Sequence, residues 1–168
     1  MAVTHTLIQT VTVTAGGGAA NIQFTSIPQT YTDLKIVYSL RNSNSSVVAD
    51  IQFNGLSTNL SSRLLIGSGS AASSITAGTT LRSYGTNPTD YTASVFGNLE
   101  VYIPNYAGST NKSVSMDYVT ENNATAAYSG FTAGLWSATT AITQVTLTVS
   151  GGNVVQYSSA SLYGIKNS

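Results

Sequence analysis

The chain holds few groups able to run acid–base or nucleophilic chemistry. Its single histidine, His5, lies near the start of the sequence, and a Ser-His-Asp relay needs that base held against one particular hydroxyl. With 24 serines and 24 threonines any such pairing is a coincidence of abundance, and no Gly-x-Ser-x-Gly turn presents a nucleophile. The six carboxylates, Asp33, Asp50, Asp90, Glu100, Asp117 and Glu121, fall one to a segment without EF-hand or His-x-x-x-His spacing. Two of them meeting around a calcium ion with loop carbonyls is the one metal arrangement left open. Gly16-Gly17-Gly18 and Gly67-Ser68-Gly69 are followed by neither Lys-Ser/Thr nor a helix start, so they read as turns, not phosphate cradles. These residues imply no catalytic centre and no cofactor, hence a non-enzymatic protein. What remains is recognition by aromatic rings. Of the ten tyrosines and one tryptophan, Tyr84, Tyr91 and Trp136 are the candidates for an outward-facing sugar platform, whereas Tyr38, Tyr118 and Tyr157 occupy inward-looking positions.

The elements that must position these residues are strands. Leu34, Ile36, Tyr38 and Leu40 alternate with Lys35, Val37, Ser39 and Arg41, and Val47 to Phe53 repeats the period of two. The same reading covers Leu7 to Val13, Ile22 to Phe24, Val95 to Ile103, Val114 to Tyr118, Phe131 to Leu135, Val145 to Val149 and Val155 to Ile165. Turn formers such as Ile27-Pro28, Asn54-Gly55, Asn87-Pro88, Pro104-Asn105 and Gly151-Gly152-Asn153 separate them. The expectation is an all-β protein, an antiparallel β-sandwich of jelly-roll type with roughly 8–10 strands. Residues 1–168 read as one sandwich domain. Residues 67–80, small and polar, are expected to form a long surface loop, and residues 84–91 a second.

Composition narrows the setting. Charged residues make up 7% of the chain, against about 25% in an ordinary soluble domain, and six positive charges cancel six negative ones. A nucleic-acid binder needs a basic surplus to displace phosphate counterions, and none exists. No apolar run approaches the roughly 18 residues of a membrane helix, no basic leader precedes an apolar core, and no cysteine is present for a disulfide framework. The reading is a chain made in a reducing cytosol whose uncharged surface meets other protein, because net charge near zero promotes association and little charge is desolvated when such faces close. Residues 1–14 form a candidate N-terminal arm or edge strand. Within it Thr4, Thr6, Ile8, Thr10 and Thr12 are the candidate assembly residues, pairing inside the protomer or by strand addition to a neighbour.

Three stretches carry a resemblance: Phe24-Thr25-Ser26-Ile27-Pro28-Gln29-Thr30-Tyr31-Thr32-Asp33-Leu34, then Ile51-Gln52-Phe53-Asn54-Gly55 with Asn59, and the closing Ser161-Leu162-Tyr163-Gly164-Ile165-Lys166. In these the chain resembles a family of small tailed-bacteriophage virion proteins, variously capsid decoration (cement), head-fibre or tail-fibre proteins. The resemblance implies a jelly-roll sandwich, commonly trimeric, without enzymatic activity. It also implies a virion location, with copies of itself and the major capsid protein or another virion protein as partners. Capsid cement is the expected role, since the sandwich uses up the length a fibre shaft would need. The alternative is a fibre or receptor-binding module whose outward loops touch host glycan.

Overall fold

The computed structural model describes residues 4–123 and 127–166, which form thirteen strands and no helix. In chain order these are β1 (Thr4–Thr12), β2 (Asn21–Phe24), β3 (Asp33–Arg41), β4 (Ala49–Phe53), β5 (Leu60–Gly67), β6 (Ala72–Ala77) and β7 (Leu81–Ser83). They continue with β8 (Thr86–Asn87), β9 (Gly97–Ile103), β10 (Lys112–Glu121), β11 (Ala127–Trp136), β12 (Val145–Val149) and β13 (Ser159–Lys166). Alternation drives the assignment: in β10 every other residue from Lys112 to Thr120 is buried and every intervening one is exposed, the mark of a strand with one wet face.

Two sheets pack face to face. The larger runs β1-β13-β3-β9-β10-β11-β5-β6, with β8 pairing in parallel to the end of β3; the smaller runs β2-β12-β4-β7. Every other pairing is antiparallel. The fold is therefore an all-β antiparallel sandwich. Between the sheets lies one apolar cluster to which both contribute, including Phe24, Phe53, Ile51 and Leu147 from the smaller and Ile36, Tyr38, Val101 and Met116 from the larger. Leu64 and Ile66 of β5 and Ala77 of β6 form a second, minor cluster.

Several expectations are corrected. The residues expected to form a long loop, 67–80, include strand β6, joined to β5 by a tight turn in which Ser68 N donates to Ala71 O at 2.9 Å. Small polar residues suffice there because β6 is an edge strand exposed over most of its length. The second expected loop, 84–91, carries β8, and Thr86 and Asn87 are wholly buried. Tyr157, read as inward, stands 71% exposed with φ +71°, in the turn before β13. The turn at Asn54-Gly55 forms as its residues require, with both in the left-handed region and Leu56 N bonded to Phe53 O at 2.9 Å.

Candidate interaction surface

The candidate assembly segment is β1, at one end of the larger sheet's strand order and paired to β13. The register shifts between Leu7 and Gln9, so Ile8 is an extra residue in the ladder. That bulge divides the five residues that strict alternation would place together. Thr4 and Thr6 oppose Lys166 and Gly164, whereas Thr10 and Thr12 oppose Ser161 and Ser159, on the other face of the sheet. Ile8 itself packs against the core. Thr10 Oγ1 and Ser161 Oγ share a hydrogen bond of 2.9 Å. Residues 1–3 of the expected arm lie outside the described residues.

The three aromatic candidates do not assemble into a platform. Trp136 is corrected outright: it is fully buried, tilted against Phe53 at 5.4 Å between centroids, and its Nε1 has no hydrogen-bond partner among the described residues. Of the adjacent pair Leu135 and Trp136 only one can point inward, and the indole buries more apolar surface; Leu135 is left 40% exposed. Tyr84 is half-buried, edge-on to Tyr128 at 5.7 Å, and packs against the apolar clusters. Tyr91 is half-buried in the loop after β8. Desolvation, and then its neighbours Tyr128, Asp90 and Glu121, push its phenol above the ordinary value.

That loop is held from beneath by Arg41, 8% exposed, whose guanidinium donates to the carbonyls of Thr89, Tyr91, Thr92 and Val95 at 2.8–3.3 Å. The β9–β10 turn is held in the same way. Lys112, fully buried, donates through Nζ to the carbonyls of Gly108 and Thr110, and burial lowers its pKa. Asp33 grips the turn from the opposite side, accepting from Asn105 N at 2.9 Å and Tyr102 Oη at 2.8 Å. Of the remaining carboxylates, Asp50 pairs with Arg82 at 3.2 Å and Glu100 with Lys35 at 2.7 Å. Among the described residues no three acidic or histidine side chains gather as metal ligands.

The outer face of the larger sheet is where side chains converge. Directly opposed residues form a row, Ser161, Val37, Glu100, Asp117, Phe131, Leu65, Ser74, across seven strands. Its two halves differ. Toward β6, Phe131 and Leu65 face each other at 66% and 58% exposure, with Val119 beside them at 51%. Toward β1 lies an open groove of about 700 Å³ over β13, β3 and β9, with His5, Lys35 and Tyr163 at one end and Phe96 at the other. Between the halves Glu100 and Asp117 are directly paired, and desolvation followed by the Glu100 charge raises the Asp117 pKa. The apolar half was missed in the sequence, yet a signal existed: Leu64-Leu65-Ile66 is a run that period two cannot bury whole, and Leu65 is the member turned outward.

No family model, no curated protein and no solved structure matches the chain.

Proposed function

We propose that this chain is a non-enzymatic structural subunit, a self-associating sandwich that covers a protein shell as a capsid decoration (cement) protein of a tailed-phage virion. Its partners on this reading are copies of itself, as a trimer, and the major shell protein. The observation that carries the reading is the outer face of the larger sheet, where Phe131, Leu65 and Val119 stand side by side in water. Contiguous exposed apolar residues are the usual sign of a covered surface, and aromatic anchors supply most of the binding energy where they are buried by a partner.

The placement of charge supports the same reading. Asp33, Arg41 and Lys112 are buried inside the protomer, and Lys35, Glu100, Arg82 and Asp50 neutralise one another. A surface so depleted desolvates few ions when it closes against protein. The β6 edge of the larger sheet also lacks the lysines and prolines with which free monomers protect such edges, and it carries no ionisable group.

Strand order supports the jelly-roll form. The smaller sheet, β2-β12-β4-β7, and the run β3, β9–β11, β5, β6 of the larger one are the two sheets of a jelly roll if the β9–β11 meander is counted as a single strand. On that reading β1 and β13 are additions at one edge.

Sedimentation velocity tests the proposal on the free protein. The wild type is expected to sediment as an oligomer at micromolar concentration, and Phe131→Glu to shift it toward monomer with little change in melting temperature. Stoichiometry in a purified particle tests placement: hundreds of copies support a shell covering, a few tens a fibre. A stable monomer with no affinity for any shell refutes the proposal.

A further inference from the structure

We infer that the groove over β13, β3 and β9 is a binding site for an uncharged oligosaccharide. The inference does not rest on the shell-covering role, since a monomer would keep the groove intact. Its composition departs from the apolar half of the same face. Tyr163 and Phe96 supply aromatic surface at opposite ends, and Ser39, Asn98 and Ser159 lie between them with Val37. Ser39 stands four residues along β3 from Lys35, which sets a floor of about 13 Å at strand spacing, enough for a short chain of sugar rings.

The polar groups of this floor are unspent. Ser161 shares its hydroxyl with Thr10, but the side chains of Ser39, Asn98, Ser159 and Tyr163 make no hydrogen bond to other described residues. A cleft of apolar walls and a few convergent hydrogen-bonding groups is the usual form of a small-ligand site. Hydroxyls and a carboxamide both donate and accept, which suits ligands rich in hydroxyls, while the flat aromatic rings suit their C–H faces. Ligand charge is disfavoured because Lys35, the one lysine lining the groove, is committed to Glu100 at 2.7 Å. A second protein chain finds its apolar anchors instead at Phe131 and Leu65, on the other half of the face.

The test is titration of the isotope-labelled protein with lactose, maltotriose and chitotriose, with sialyllactose as the anionic control, followed by amide shifts and calorimetry. At least one neutral sugar is expected to cause saturable shifts confined to β3, β9 and β13, including the Asn98 carboxamide. Loss of one hydrogen-bonding or stacking partner should weaken that binding by about fivefold or more in Asn98→Ala and in Tyr163→Ala. Phe131→Glu should leave it unchanged. Asn98 is exposed, so its replacement spares the core and carries the test even if Tyr163→Ala unfolds. The inference is overturned if no neutral sugar shifts these residues or if the shifts centre on Phe131. It is equally overturned if affinity survives Asn98→Ala, if sialyllactose binds more tightly than lactose, or if the shifts follow protein concentration rather than sugar.

Discussion

Arg41 and Lys112 are buried cations that meet backbone carbonyls of a single loop and no carboxylate among the described residues. Such a group ties down a segment that has no strand pairing of its own, because several carbonyl dipoles together offset the desolvation of one charge. Arg41→Ala leaves four carbonyls to find other donors and is expected to cost about 3 kcal/mol in urea unfolding, with faster amide exchange across residues 89–96. Arg41→Lys should recover only part of this, since an ammonium cannot reproduce the planar fork. Asp117 allows a prediction of the opposite sign. Its folded pKa lies above the ordinary 3.8 because of desolvation and Glu100, so the native state favours the protonated acid. That contribution is present below the unfolded value and is lost as pH rises through the folded one. Asp117→Asn is therefore expected to be more stable than wild type at pH 7, with the advantage vanishing as pH falls below about 3.8, as thermal melts across pH would record.

At the scale of elements, the central strands were legible because one buried face imposes a clean period of two, as in β10 and β4. What escaped were strands whose burial is decided by neighbours. β5 mixes Arg63 and Leu65 on its outer face; β6 is nearly all small and polar; β7 and β8 span three and two residues. No local pattern distinguishes such pieces from loops. The bulge at Ile8 was illegible for a related reason. Thr-x-Thr spacing on both sides looks continuous, and only the partner strand reveals the extra residue. Bulges blunt sheet edges, so deleting Ile8 should straighten β1, lower the melting temperature modestly by removing its core contact, and increase self-association in sedimentation velocity. The candidate site divided along the same line. The sequence left β1 open as an arm or an edge strand, and the strand order puts it at the edge; the aromatic groups that reach the surface depend on pairing register and on competition such as that between Leu135 and Trp136.

For the whole molecule, zero formal net charge and the internal use of the few charges present mean that the proposed association would be one that salt hardly screens. Raising sodium chloride from low to high concentration should leave the oligomeric state unchanged or favour assembly slightly, whereas an electrostatic interface would dissociate. Strand order has a second consequence, in the timing of synthesis. Among the described residues β1 is paired only to β13, from Thr4 with Lys166 onward, and β2 only to β12. Both strands therefore leave the ribosome well before the strands they pair with, and wait unpaired until those emerge. With such distant pairings, folding falls in the slow regime of milliseconds to seconds for all-β chains. The nascent chain carries an uncharged, threonine-rich strand through that interval with no partner in place.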